Sequence, residues 1–223
     1  MEVHSHRSLQ LSWFIAIPTL LVLAALLVAG CGDDSSPGGL NGITRDPPST
    51  SRNLKLPDES PESGGKEVAL KGASDGLMLV YFGYTSCPDV CPTSMADLRQ
   101  AMAELDPEER ERVKVAMVTV DPARDTGQVL NGYLGHFFEA GEFHSLRTTD
   151  TAQLARVEKA FGASHQLGEP DAKGNYDVSH TPQIFAVNDR GIVEVEWPFQ
   201  TDPDLVAKDL EYLLEQANQD PGA

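Results

Sequence analysis

The stretch that most constrains the fold is Tyr81-Phe-Gly-Tyr-Thr-Ser-Cys-Pro-Asp-Val-Cys-Pro92, which holds Cys87 and Cys91, the only cysteines in the body of the chain. The apolar run Leu77–Phe82 leads into it and reads as a buried strand. Met95, Leu98, Met102 and Leu105 follow at offsets of three, four and three, which line one face of a helix. The cysteines therefore sit where a strand hands over to a helix. A helix start offers unpaired N–H groups and a positive dipole end, both of which favour thiolate over thiol. Pro92 suits the first helical turn, where a missing N–H costs little. With near-helical backbone between them, a spacing of four puts both sulfurs on one side, able to share a metal ion or to close a disulfide. A plain buried pair or a structural disulfide has the same spacing; the flanking prolines and the strand-to-helix position favour a functional pair.

The chain has 223 residues, room for one ordinary domain plus tails. Hydrophobic residues make up 40% and aromatics 7%, so a core forms only if part of the chain stays outside it. The formal net charge of −17 excludes nucleic acid as a partner class, because phosphate binding needs a basic face. It is compatible with metal cations or a basic protein partner.

Leu11–Gly30 carries no charge and is mostly apolar, Arg7 precedes it, and it ends Leu27-Val-Ala-Gly-Cys31. This resembles a bacterial lipoprotein signal peptide, with residues 1–30 removed and Cys31 lipidated. Retained, the same run is long enough to span a membrane. Either way the body lies on the extracytoplasmic face of a bacterial membrane, where disulfides persist. Residues 31–66, rich in Gly, Ser, Pro and Asp, read as a flexible tether of roughly 35 residues with an end-to-end distance on the order of 30 Å.

Residues 67–217 are expected to form the folded domain and 218–223 a tail. Short strands are expected at Asn53–Leu56 and Glu67–Leu70, and a second central strand at Val113–Val120. A helical restart follows Asp106-Pro107, and Leu130, Tyr133, Leu134 and Phe137 mark another helix. Phe143–Arg147 reads as a strand, and Asp150 caps a helix carrying Leu154, Val157 and Phe161. His165–Ser179 reads as a loop, Pro182–Asn188 and Ile192–Trp197 as strands, and Val206–Leu214 as a final amphipathic helix. This alternation implies an α/β fold, a mixed sheet with helices on both faces.

From about Leu54 to Leu214 the chain resembles the Sco/SenC family, thioredoxin-fold copper proteins of cytochrome c oxidase assembly. The matching residues are Phe82–Pro92, then Val118-Thr-Val-Asp-Pro-Ala-Arg-Asp-Thr126, then His180 just before a strand and its Asp189-Arg-Gly191 turn. The resemblance implies a thioredoxin-like fold and a copper site formed by Cys87, Cys91 and His180. Thiolates suit Cu(I), and imidazole binds copper in either oxidation state. Three ligands leave a position open for a donor or acceptor, whereas a closed zinc site needs a fourth. His136, His144 and His165 are alternative ligands. Asp121 and Asp125 are expected to shape their loop or pair with Arg124. The family usually has an acid directly before the histidine; here Ser179 stands there, which makes Asp177 a candidate for orienting the imidazole. Thr181-Pro182 sits where thioredoxin-like reductases carry a cis proline facing the cysteines, so a cis bond close to the pair is expected.

Two function classes follow. The first is a lipid-anchored copper chaperone that takes copper from a donor protein and delivers it to the CuA-bearing subunit of cytochrome c oxidase. The second is a thiol–disulfide oxidoreductase that reduces a partner's cysteines through Cys87 and Cys91, a chemistry that does not need His180. A peroxidase is a weaker third, since no activating base stands beside Cys87 in the sequence.

Overall fold

A computed structural model describes residues 39–219; the apolar segment 1–30 and Cys31 lie outside the described residues. Nine strands and five helices are assigned among these: β1 (Lys55–Asp58), β2 (Lys66–Ala69), β3 (Leu77–Gly83), α1 (Val90–Glu104), α2 (Pro107–Glu111), β4 (Val113–Thr119), α3 (Gly127–Leu134), β5 (Phe143–Leu146), α4 (Thr151–Phe161), β6 (His165–Leu167), β7 (Val178–His180), β8 (Ile184–Val187), β9 (Val193–Trp197) and α5 (Pro203–Gln219).

Seven strands form one sheet in the order β2-β1-β5-β4-β3-β8-β9. The most apolar run, β3, is buried at every residue and lies between β4, which is parallel to it, and β8, which is antiparallel. A strand covered on both faces has no polar side to show, hence the unbroken hydrophobic pattern. Successive side chains point to opposite faces. Tyr81 points toward α1, where its ring lies beside Cys91, and Phe82 packs edge-on against Phe161 of α4 at 5.5 Å between centroids. Helices therefore cover both faces of the mixed sheet. The buried residues Cys91, Ser94, Met95, Leu98, Ala101 and Met102 recur every three or four positions along α1, which packs on α5.

Several sequence expectations hold in detail. The Asp150 carboxylate accepts from the N–H groups of Ala152 and Gln153 and caps α4. Asp106 and Glu109 form a reciprocal capping box on α2.

Three expectations are corrected. The flexible tether does not extend to residue 66, because the chain is docked from residue 40 onward. Leu40 is buried, Ile43 and Thr50 bridge to Glu196 and Ile192 along the outer edge of β9, and Arg45 pairs with Glu196 at 2.6 Å. Asp209 of α5 fixes this arm by accepting from the N–H groups of Asn41 (2.7 Å) and Gly42 (2.9 Å), and it also takes Trp197 Nε1 at 2.8 Å. Polar composition suggested a coil, but these polar groups satisfy a sheet edge and a buried acid. Second, 165–179 is not a simple loop: β6 and β7 pair as a two-stranded ribbon. Its strands are three residues long and largely polar, so no alternation marks them. Third, the Thr181–Pro182 peptide is trans; the cis peptide among the described residues is Asp46–Pro47.

Candidate metal centre

The parallel strands β3 and β4 end at the same edge of the sheet, and the loops leaving them, 84–89 and 120–126, meet there. Such carboxyl ends are where open α/β sheets place their sites. Cys87 lies in the first loop and Cys91 in the first turn of α1. The N-cap residue Asp89 makes no side-chain cap bond; instead the Cys91 N–H donates to Cys87 Sγ at 3.3 Å. A sulfur thus takes up a free donor at the helix start.

His180 reaches this point through strand register. Tyr81 lies opposite Ile184 in the β3–β8 pair, so the residues just ahead of β8 fall beside the end of β3. His180 Nδ1–H donates to the Thr181 carbonyl at 3.1 Å, which leaves the Nε2 lone pair free, and Nε2 sits 3.4 Å from Cys91 Sγ. One donor atom each from Cys87, Cys91 and His180 lie within 4.8 Å of one another. The imidazole is held edge-on between the rings of Tyr81 (5.9 Å) and Tyr84 (5.8 Å). Burial lowers the His180 pKa and keeps the ring neutral, the form that ligates metal. Burial pushes the Cys91 thiol up to about 12, so its sulfur is protonated at neutral pH and a metal must displace that proton. Both cysteines are free thiols.

The 121–125 loop ties the two halves of this site together. Asp125, fully buried, accepts from Thr85 N (3.1 Å) and from the hydroxyls of Thr85 (2.5 Å) and Thr119 (2.6 Å). Asp121 pairs with Arg124 and accepts from the Tyr176 hydroxyl at 2.8 Å. The Arg124 guanidinium lies 3.9 Å from the centroid of the Tyr176 ring and donates to the Tyr176 carbonyl at 3.2 Å. One loop therefore braces the cysteine loop through Asp125 and the ribbon carrying His180 through Asp121 and Arg124. The aspartates shape the loop, as expected. Tyr81, Tyr84 and Tyr176 had no assigned role in the sequence reading, though the first two lie inside the motif.

Three candidates fall away: Asp177, His136 and His144. Asp177 and Ser179 project from the exposed face of β7, opposite the face that carries Val178 and His180, so Asp177 does not orient the imidazole; the Thr181 carbonyl does. His144 donates to Asp58 (2.8 Å) and His136 to the Gly132 carbonyl (2.5 Å), and neither is among the grouped donors. A cavity of about 940 Å³ opens beside the start of β3, between Leu40, Arg45, Leu77 and Leu213, and neither cysteine lines it.

The SCO1/SenC family model matches residues 59–215. The chain belongs to the SCO1/SenC family. A putative copper-binding protein of Stutzerimonas stutzeri is 36% identical over 138 residues, 62% of this chain and 64% of that protein. The chain thus spans less than two thirds of that relative's length. ScoI of Bradyrhizobium japonicum, solved with copper bound, is 29% identical with a TM-score of 0.58, covering 71% of this chain and 95% of that one. Apo Sco1 of Thermus thermophilus is 28% identical with a TM-score of 0.60, covering 82% and 98%. The fold is thioredoxin-like, as in these SCO1/SenC structures.

Proposed function

We propose that this SCO1/SenC protein is a membrane-anchored metallochaperone that binds copper through Cys87, Cys91 and His180 and delivers it to cytochrome c oxidase, at the CuA centre. The observation that carries the reading is the convergence of two sulfurs and one imidazole nitrogen within 4.8 Å. Two soft thiolates hold Cu(I), and the imidazole adds affinity for Cu(II). Three protein ligands leave a coordination position for a donor's or acceptor's group, which a hand-over requires. The link of the Sco family to cytochrome c oxidase assembly supports the choice of acceptor. Lipidation at Cys31 would hold the domain at the extracytoplasmic membrane face. Mass spectrometry of the mature N-terminus tests it: a diacyl or triacyl Cys31 is expected, and an intact Met1 would count against it.

A second reading is favoured by the Cys91 N–H bond to Cys87 Sγ. Here the Cys87 thiolate attacks a partner disulfide and forms a mixed disulfide, releasing one partner thiol. Cys91 then attacks Cys87, releases the second partner thiol and leaves a Cys87–Cys91 disulfide. Two electrons pass from this chain to the partner. The high pKa of Cys91 makes that second step slow.

The deciding experiment is copper analysis of the reduced chain beside His180→Ala, with complementation of oxidase assembly at limiting copper. One copper per chain is expected in the wild type, with tight binding lost on oxidation to the disulfide. His180→Ala should keep weakened Cu(I) binding and lose more Cu(II) affinity. Full oxidase activity with His180→Ala would transfer the case to thiol–disulfide exchange.

A further inference from the structure

His180 faces a second histidine across the β6–β7 ribbon. The register pairs His165 with His180, Gln166 with Ser179 and Leu167 with Val178. Thr181 N–H donates to the Ser164 carbonyl (3.0 Å), and Gly168 N–H donates to the Asp177 carbonyl (2.8 Å). The positions flanking the ribbon on either side are thus hydrogen-bonded pairs, and alternation makes 165/180 a non-hydrogen-bonded pair. In such pairs the Cα atoms approach to about 4.5 Å and the side chains are at their closest. Directly opposed residues share a face, and this face also carries Val178, which is buried, and Leu167 opposite it, which is exposed.

His165 is prepared as a ligand is prepared. Its Nδ1–H donates to Glu158 Oε1 at 2.6 Å, and Glu158 is a buried carboxylate on α4. A carboxylate on one ring nitrogen fixes the tautomer and leaves the lone pair on the other nitrogen, as metal-binding histidines require. The His165 side chain is 23% exposed, enough for an ion to enter.

We propose that His165 is a second imidazole ligand for copper, forming with His180 a two-nitrogen station beside the thiolates. The inference rests on the copper reading above. Cu(II) takes nitrogen ligands readily and Cu(I) prefers sulfur. His180 is common to both sets, so copper passes between them without leaving the protein. His165 lies outside the three donors grouped within 4.8 Å, so the station is a neighbouring position rather than a fourth ligand of the same arrangement.

The test uses the full chain with Cys87→Ser and Cys91→Ser, which removes both thiolates, loaded with Cu(II) and read by electron paramagnetic resonance and competition with a chelator. Coupling to two imidazole nitrogens is expected. Adding His165→Ala should remove one coupling and weaken binding at least tenfold, and Glu158→Gln should weaken it severalfold. Thermal melts of the metal-free variants check that folding is retained. If coupling and affinity are unchanged by His165→Ala, the bound copper sits on other histidines and the station is overturned. The thiol-bearing chain separates the two failures. Copper binding that is lost with Cys87→Ser and Cys91→Ser but indifferent to His165→Ala removes the station alone. Absence of copper binding by the reduced wild-type chain removes the underlying reading.

Discussion

A single methyl group at Gly83 would reach two parts of the site at once. A Cβ there would stand 2.6 Å from Tyr81 Cε1 and 3.0 Å from Cys91 Sγ. The glycine ends β3 and lets the strand pass close beneath the first turn of α1, so that Cys91 faces His180. Gly83→Ala should therefore cost about 1–3 kcal/mol of stability, the usual range for overpacking a core. It should also weaken copper binding by displacing a ligand. Urea unfolding and chelator competition measure the two effects; an unchanged copper affinity would mean that Cys91 adjusts around the methyl group.

At the scale of elements, the ribbon and the β1–β5 contact carry the informative side chains. Arg124 and Tyr176 clasp the ribbon to the 121–125 loop. Arg124→Ala should speed amide exchange across 165–180 and lower copper affinity severalfold, while leaving exchange in β3 and β4 unchanged. Asp58, at the end of β1, is fully buried and accepts from Ser145 N (2.9 Å), Ser60 N (3.0 Å), Ser60 Oγ (2.9 Å) and His144 Nδ1 (2.8 Å). Burial opposes its ionisation, but hydrogen bonds from His144, Ser63 and Ser60 outweigh that, and its pKa falls well below the usual carboxylate range. A depressed pKa means that the folded state binds fewer protons than the unfolded state. The stabilisation is therefore complete above the ordinary carboxylate pKa of about 4 and is lost as pH falls below it. Asp58→Asn should cost about 2–3 kcal/mol at pH 7, the worth of bonds to a buried charge, and should flatten the acid limb. Urea midpoints at pH 7 and pH 3 test this, and equal acid losses in both proteins would refute it.

Across the whole molecule, Asp209 joins three distant parts: α5, Trp197 of β9 and the arm at Asn41–Gly42. The arm covers the edge of β9, which would otherwise present unpaired backbone groups. Gly42 permits the approach, since a Cβ there would lie 2.4 Å from Val195 Cγ2. Asp209→Ala leaves the buried Trp197 N–H unsatisfied and frees the arm. A loss of about 3 kcal/mol is expected from orphaning a buried donor together with the lost charge-assisted bonds. Limited proteolysis should then cut within 40–50 in the variant and spare the wild type; equal cleavage would show that the bridges to β9 hold the arm unaided.

Much of this was legible in residues close together in the chain. The run Leu77–Phe82 announced a central strand and the spacing Met95–Leu98–Met102 a helix face, because each pattern repeats the geometry of its own backbone. Asp150 announced a helix start because a cap is a contact across two or three residues. The two cysteines at the strand-to-helix turn announced a site. The ribbon, the docked arm and the trans Thr181–Pro182 bond were not legible: their polar residues carry no period, and their bonds are made to partners far along the chain. Only the pairing of β8 beside β3 carries His180 across 89 positions to Cys91, and only the ribbon register sets His165 against it. Local pattern fixes which elements form, because hydrogen bonding and periodicity act between near neighbours. Which ligands meet is decided by sheet order and register, which arise when the buried faces of the whole chain are packed together.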